Sequence, residues 1–414
     1  MTGRHSSRIH RIFGFLSILT CLSLSLAACG TANSGSSSNK APITIGISLS
    51  LSGDFSSDGE GFQQGYQLWA DYTNAHGGLL GRQVKLDIVS DASDPQQVAT
   101  NYQKLITVDK VDLIFGPFST LLTKPASVVA NRYGFAMVEG AGGGPSVFTR
   151  GLNNIFDVSL PVQNNLDTVA GLIASMPASQ RPLTVAYATE DDPFTQPQVD
   201  RVKSLLEAAG LKTVYYKVYP AETTDYAPIA LGIIQSGADV VIAGTHLNDI
   251  TAFIQQFRQQ HYNPKMLIAT AGPDQGSQFS DAVGVGNTEG IMVPNGWYPQ
   301  LKAYQNSDFV NAYVAKYGGS ANLVTIDAAE AFAVGQVVAQ AVTQNQSLDQ
   351  AKLIATLHSG TFQSCQGPVK FDSTGQNTAA QAYLFQWQNN ALQVVYPTSA
   401  ASAQFEYPKP NWAA

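Results

Sequence analysis

The sequence VDLIFGPFSTLLTKPAS, which spans Val111–Ser127, has the pattern of a strand, a tight turn and the start of a helix. Strand-forming residues end at Gly116-Pro117, and the hydroxyl pair Ser119-Thr120 precedes an apolar-periodic segment. A strand that ends at a glycine turn and leads into a helix leaves free backbone N–H groups beside a crevice. We therefore expect this stretch to receive an anionic group such as a carboxylate.

Strand and helix patterns alternate on both sides of this stretch. The first cycle covers residues 43–160, with a loop predicted at Ser50–Gly61 before a helix at Phe62–Ala75, and a second cycle begins with a helix predicted at Val162–Met176. The last apolar segments, within residues 369–396, alternate as antiparallel strands do. Such alternation predicts an α/β fold built from βαβ units with parallel sheets flanked by helices. The length favours two domains, each a Rossmann-like lobe.

The N-terminal residues have the pattern of an export signal. Arg4, Arg8 and Arg11 precede the apolar run Ile12–Leu26, and small residues lead to Cys29. This pattern predicts a signal peptide over residues 1–28, and the LAAC ending resembles the bacterial lipobox, in which the cysteine is lipidated. Residues 29–41, which are rich in Ser, Gly and Asn, are predicted to form a flexible tether. We expect an extracytoplasmic protein that is lipid-anchored to the outer face of the cell membrane, on the periplasmic side where an outer membrane exists.

Charge and cysteine usage narrow the possible partners. The chain has 23 Lys and Arg against 30 Asp and Glu, a net charge of −7, and the predicted loss of the signal arginines makes it more acidic. An acidic, evenly dispersed surface argues against nucleic acid as a partner. Cys365 is the one cysteine left after signal removal and lipidation, and we expect it to be a buried small hydrophobe without a disulfide.

Motifs for enzyme chemistry are weak or missing in the sequence. It contains no G-x-x-x-x-G-K-[ST], no G-x-S-x-G and no H-E-x-x-H, and its histidines are scattered without metal-ligand spacing. We predict a protein that is not an enzyme, with no cofactor and no metal site. The candidate binding loops all follow strands: Ser52–Ser57, Phe118–Thr120 and Ala141–Gly144. Ligands of open α/β sheets bind at these strand ends, although ordinary turns also use such residues.

Segments along most of the chain resemble a known family, the leucine/isoleucine/valine-type branch of the type I periplasmic binding proteins, which are substrate-binding lipoproteins of ABC importers. The matching segments are Ile45–Gly53, Asn74–Leu86, Asp91–Gln97, Phe115–Ser119, Glu190–Phe194 and Gly367–Asn377. The resemblance implies two lobes joined by a three-segment hinge, with crossings near residues 155–161, 291–297 and 362–368. It places residues 42–158 and 297–362 in an N-terminal lobe, and residues 159–294 and 365–408 in a C-terminal lobe.

The resemblance also implies a set of ligand-binding residues. Together with the loop analysis it gives Asp54, Phe55, Ser119, Thr120, Ala141, Gly142, Gly143, Phe194, His246, Asp274 and Trp297. Leu122 falls where amino-acid binders of the family offer a hydroxyl, Gly143 falls where they offer a threonine, and Gly272 falls where they place the acid that binds an ammonium group. We therefore prefer a carboxylate with a larger apolar or aromatic body over a leucine-type amino acid, with Asp274 as the one substitute for the missing acid.

The partners implied by the resemblance are a small-molecule ligand and an ABC permease with a separate ATPase. The chain is expected to act as a monomer, held at the membrane by its lipid anchor. Two other functions remain open from the sequence: a lipoprotein that reports ligand status to a membrane receptor, and an enzyme on a similar two-lobe scaffold.

Overall fold

The first of two large sheets has five parallel strands in the order β2-β1-β3-β4-β5. The computed structural model describes residues 41–413, and the predicted signal, Cys29 and tether up to Lys40 lie outside them. Strand β1 is buried along nearly its whole length, as expected for a parallel strand covered on both faces. The elements are β1 Ile43–Leu49, α1 Ser56–Ala75, β2 Val84–Ser90, α2 Pro95–Thr107, β3 Leu113–Phe115, α3 Thr120–Arg132, β4 Met137–Glu139, α4 Pro145–Phe148 and β5 Ile155–Asp157.

The second sheet has seven strands, and its five parallel strands come from the next part of the chain. The predicted helix at Val162–Met176 is instead a short 3₁₀ turn followed by a shorter helix. The elements are α5 Asp167–Ser175, β6 Thr184–Glu190, α6 Thr195–Ala208, β7 Lys212–Tyr219, α7 Ala227–Ser236, β8 Val240–Gly244, α8 Leu247–Gln259, β9 Met266–Ala269, α9 Ser277–Val283 and β10 Ile291–Asn295.

The last part of the chain contributes to both sheets. Its elements are α10 Asn306–Tyr317, α11 Ile326–Asn345, α12 Gln350–Ser359, β11 Phe362–Ser364, β12 Gly367–Val369, β13 Tyr383–Gln388 and β14 Ala391–Tyr396. Strands β13 and β14 extend the second sheet as antiparallel strands beside β10, in the order β14-β13-β10-β9-β8-β6-β7. Helices α10 to α12 share one hydrophobic core with the five-stranded sheet. Strands β11 and β12 form a separate two-stranded sheet.

Helix α1 begins six residues before the predicted start, and its glycines explain the difference. A Cβ on Gly61 would lie 2.8 Å from Asp327 Cβ, and one on Gly65 would lie 2.2 Å from the carbonyl oxygen of Ala328. These glycines are therefore where α11 packs closely on α1, and they do not mark a loop. The longer helix places Asp58 in its first turn.

The α/β class and the parallel sheets flanked by helices are confirmed. The structure agrees with the expectation for Cys365, which is fully buried, with its Sγ 3.2 Å from the carbonyl oxygen of Ala329. Burial raises the pKa of the Cys365 thiol far above its usual value. The residue bounds of the two lobes remain a prediction. None of the helices between residues 41 and 413 combines the length and apolarity needed to cross a bilayer.

Candidate functional site

A cavity lies where the carboxyl ends of strands from both sheets meet. Open α/β sheets bind ligands at this edge. The cavity is lined by the segments that follow β3, β4 and β5 of the five-stranded sheet. The segments that follow β9 and β10 of the seven-stranded sheet also line it. The first turns of α1 and α11 complete the wall. Side chains on this wall include Asp58, Phe118, Asp157, Phe194, Thr270, Asp274, Gln275, Asn295, Asp327 and Glu330.

The segment after β3 contributes Phe118 to the cavity wall, while its two hydroxyl residues lie behind that wall. Ser119 and Thr120 are both buried. Thr120 Oγ1 accepts a hydrogen bond of 3.2 Å from the Gly144 N–H, and Ser119 Oγ has no hydrogen-bond partner among the described residues. The Leu122 side chain belongs to the hydrophobic core and does not line the cavity.

The glycine-rich loop after β4 lies against the acid at the end of β5. Ala141 and Gly143 line the cavity, whereas Gly142 faces Thr123. A Cβ on Gly143 would lie only 2.2 Å from Asp157 Oδ2, so a side chain here would displace that carboxylate. The residue therefore has to be glycine while Asp157 keeps this position. Asp157 Oδ1 accepts a 2.8 Å hydrogen bond from the Ser159 N–H.

Five carboxyl side chains face the cavity, and no Lys or Arg is among its lining residues. Burial, the largest cause in each case, raises the pKa of Asp58 to about 6 and those of Asp157 and Asp274 to about 7. Burial also raises the pKa of Asp327 and of Glu330 well above the usual range, and neighbouring carboxylates add to the rise. The cavity wall therefore carries five carboxyl groups that hold their protons more strongly than free carboxyls do, and the ligand class preferred from the sequence stays a prediction.

Gln275, in the segment after β9, connects the two sides of the cavity. Its Nε2 donates hydrogen bonds to Asp58 Oδ1 at 2.7 Å and to Asp327 Oδ2 at 2.8 Å. With both acids as acceptors, the amide nitrogen is the atom that faces them. Its Oε1 has no hydrogen-bond partner among residues 41–413. Asp274, the preceding residue, accepts from the Gly272 N–H at 2.9 Å.

An aromatic cluster around His246 lies next to the cavity. The His246 ring stacks on Phe194 with centroids 5.5 Å apart and lies 5.1 Å from the ring centroid of Phe55. Its Nε2 is 3.7 Å from Asp192 Oδ1, an ion-pair distance that is too long for a hydrogen bond. Burial alone would lower the pKa of His246, but the carboxylates of Asp192, Glu190 and Asp58 outweigh it and raise that pKa to about 10. The imidazolium therefore stays paired beside Asp192.

The predicted site residues thus fall into three groups. Ala141, Gly143, Phe194 and Asp274 line the cavity. Five others lie outside the cavity lining: Phe55, Ser119, Thr120, Gly142 and His246. Of these, Phe55 contacts the lining residue Phe118, and His246 contacts the lining residue Phe194. Asp54 is exposed, and Trp297 packs on Phe309 and donates from Nε1 to Asn306 Oδ1 at 2.7 Å.

Sequence reasoning missed Asp58, Asp157, Gln275, Asp327 and Glu330 as cavity residues. They come from segments up to about 270 residues apart, so no local spacing reveals that they converge. One signal was available for two of them. Asp58 and Asp327 lie in the first turns of α1 and α11, where the helix dipole stabilises a carboxylate.

Comparison with known proteins identifies the family. A family model described as "Periplasmic binding protein" matches residues 42–391. Among curated relatives, Leu/Ile/Val-binding protein homolog 8 of Brucella melitensis biotype 1 is 27% identical over 386 residues, which cover 89% of this chain and 94% of that protein. Homolog 7 of Brucella abortus (strain 2308) is 25% identical over 405 residues, 94% of this chain and 99% of that protein. The chain belongs to the periplasmic binding protein family.

Solved structures agree with this fold. The branched-chain amino acid transporter substrate-binding protein LivJ of Streptococcus pneumoniae, in complex with isoleucine, has a TM-score of 0.75 at 20% identity and covers 89% of this chain and 100% of its own. An ABC transporter solute-binding protein of R. palustris, in complex with benzoate, has a TM-score of 0.74 at 18% identity, with 89% and 98% covered. The predicted type I periplasmic-binding-protein fold is confirmed. The prediction that the protein binds a solute and is not an enzyme agrees with the family.

Proposed function

We propose that this protein is an extracytoplasmic lipoprotein that captures a small organic ligand for an ABC importer. The observation that carries the proposal is the cavity between the two sheets, which is walled by strand ends from both and bridged by Gln275. The family match and the names of the curated relatives support this function. The cavity residues provide hydrogen bonds, charge and apolar contact, which are what reversible capture requires.

In this proposal the ligand acts by favouring one conformation. A ligand that contacts both sides of the cavity makes more interactions when the sides are together, so it shifts an open–closed equilibrium toward the closed form. The closed form then docks on a permease that works with a separate ATPase, and the ligand leaves chemically unchanged. The same clamshell could instead report to a membrane receptor, which is the alternative that an uptake experiment separates.

The membrane anchor is a second part of the proposal. Cleavage before Cys29 and acylation of that residue would hold the body at the outer face of the membrane through residues 29–41. We expect intact-mass analysis to find an acylated chain that begins at Cys29, and Cys29→Ala to lose the acyl mass without changing the ligand affinity. A wild-type chain without an acyl group on Cys29 would contradict the anchor.

A thermal-shift screen of the purified full-length protein tests the binding function. The panel contains branched-chain amino acids, aromatic acids, amides and amines. A ligand at about 100 times its Kd adds roughly 2.7 kcal/mol of stability, which raises the Tm by several degrees for domains of this size. A flat response across the whole panel contradicts the proposal. Loss of uptake of the identified ligand in cells without this protein supports transport, and normal uptake favours the sensor.

A further inference from the structure

The acidic groups of the cavity form one interacting cluster. They come from α1 (Asp58), the end of β5 (Asp157), the segment after β9 (Asp274) and α11 (Asp327 and Glu330). Asp58 and Asp274 both raise the pKa of Asp327, and Asp327 and Asp157 both raise that of Glu330. Because like charges disfavour one another, these groups keep their protons to higher pH than isolated carboxyls do, and a cation among them would favour their charged forms.

Two buried acceptors in this wall have no hydrogen-bond partner among the residues that the structure describes. They are Asp157 Oδ2, on a side chain that is 0% exposed, and Gln275 Oε1, on one that is 2% exposed. Both residues line the cavity. A buried acceptor without a partner costs about 1–3 kcal/mol, and more when it is charged. The wall therefore presents acceptors that a ligand with N–H donors would satisfy.

The remaining wall suits an aliphatic chain between charged ends. Phe118 and Phe194 contribute apolar ring surface, and an aromatic face also attracts a cation. His246, which carries a positive charge behind Phe194, is paired with Asp192 and only partly offsets the rise in the pKa of Asp58 and Asp274. Glu139, buried behind the glycine-rich loop, adds a further acid whose pKa is raised by burial and by Asp157.

We propose that the ligand is a small organic cation with two or more ammonium groups, a short aliphatic diamine or polyamine. This inference rests on the proposed function and specifies its ligand class. Several ammonium groups match several separated carboxylates, and their N–H donors satisfy Asp157 Oδ2 and Gln275 Oε1. A quaternary ammonium ion has no N–H to donate, and a carboxylate would face five acids without a lining Lys or Arg.

Calorimetric titration of the purified full-length protein tests the ligand class. The probes are 1,4-diaminobutane and spermidine, compared with leucine, benzoate, choline and Ca²⁺. We expect the two amines to bind at least about tenfold more tightly than any of the other four. The calcium arm is included because carboxylates also bind hard cations, although no group of three His, Cys, Asp or Glu in residues 41–413 has a metal-binding arrangement.

Neutral variants test whether the acids recognise the amine. Asp157→Asn and Asp327→Asn should each weaken 1,4-diaminobutane about tenfold or more, because each removes a charge-assisted hydrogen bond. The matched control Asp281→Asn neutralises an exposed acid on α9 and should leave the affinity unchanged. Circular dichroism confirms that the variants fold. Unchanged affinity in both folded cavity variants overturns the inference.

The number of protons released on ligand binding is a second test, because acids with a merely structural role would not change it. The cation favours the charged forms of Asp58, Asp157 and Asp274, whose pKa values of about 6 to 7 in the ligand-free protein leave them partly protonated. Binding should therefore release protons, and the affinity should rise from about pH 5.5 to about pH 7.5. Proton uptake on binding would overturn the inference.

The outcomes separate this inference from the proposed function. Binding of leucine or benzoate without binding of either amine overturns the ligand class and leaves the binding function intact. Preference for choline or for Ca²⁺ over the amines also overturns the inference. No binding of any probe by folded protein contradicts both the ligand class and the proposed function.

Discussion

Two parts of the cavity wall differ in what they contribute. The segment after β3, Phe118–Thr120, belongs to the stretch that identifies the fold, yet it supplies the wall with only the Phe118 ring. The first turns of α1 and α11, which carry Asp58 and Asp327, supply charge and the bonds to Gln275. The helix starts therefore supply more of the polar groups in the cavity wall than the loop that identifies the family does.

The largest effect is expected where the loop wall meets the acidic wall. Gly143→Ala should weaken 1,4-diaminobutane by about tenfold or more, because the added Cβ would lie 2.2 Å from Asp157 Oδ2 and displace it. A double-mutant cycle with Asp157→Asn, read by calorimetry, isolates the cause. The loss should be much smaller in the Asp157→Asn background. An equal loss of affinity in both backgrounds would show that the substitution acts through the loop and not through Asp157.

The pH dependence of stability tests the acidic wall without a ligand. Asp58, Asp157 and Asp274 have folded-state pKa values of about 6, 7 and 7, above their usual values near 3.8. At these three groups the folded protein binds more protons than the unfolded chain, so their contribution to stability is fully present below about pH 4 and is lost as the pH rises through 6 to 7. The Tm should drop by several degrees between about pH 4.5 and pH 7.5.

The double variant Asp157→Asn/Asp327→Asn provides the control for that pH series. Two of the coupled acids are then neutral at every pH, so the fall in Tm should become shallower. A wild-type Tm that rises across the window would show that the cavity acids do not have raised pKa values.

A smaller effect is expected at Trp297, which was predicted to contact the ligand. Trp297→Phe should lower the free energy of unfolding by about 1–3 kcal/mol, since it leaves Asn306 Oδ1 without its indole donor and reduces the packing on Phe309. Denaturant titration measures this loss, and the affinity for 1,4-diaminobutane should change by less than about threefold. The reverse result, weakened binding at unchanged stability, would indicate that Trp297 contacts the ligand.

The smallest effect is expected at Ser119. Its Oγ is buried without a partner among the described residues, so Ser119→Ala should change stability by no more than about 0.5 kcal/mol and leave the affinity nearly unchanged. The neighbouring Thr120→Ala is the matched comparison, because it removes the acceptor of the Gly144 N–H and should cost about 1 kcal/mol. A tenfold loss of affinity in Ser119→Ala would make the loop hydroxyl a ligand donor and reverse the comparison.

The sequence was sufficient for the fold because local pattern determines it. Alternating apolar strands and helices, the turn at Gly116-Pro117 and the antiparallel final strands all follow from short-range chemistry. The start of α1 was wrong because Gly59 and Gly61 resemble loop glycines, while in the structure Gly61 allows contact with α11. That contact lies more than 260 residues away in the chain, so it leaves no local signal.

The charge of the site was missed for the same reason. Asp274 could be named because it lies near Gly272, where the resemblance places an acid. Asp157 and Glu330 looked like ordinary residues of a strand end and a helix, and only folding brings them to one cavity. The preference for a carboxylate with a larger apolar body followed from Leu122, Gly143 and Gly272, and of these three only Gly143 lines the cavity.

The Gln275 amide has a consequence for how faithfully the protein reports an occupied cavity. Its two bonds to Asp58 and Asp327 join the segment after β9 to α1 and α11 with a neutral donor from the chain itself. A hydrogen bond of this kind is worth about 0.5–1.5 kcal/mol net, so the two bonds favour the present arrangement of these three segments without help from a ligand. Under the proposed function, this amide would let part of the ligand-free protein resemble the occupied form.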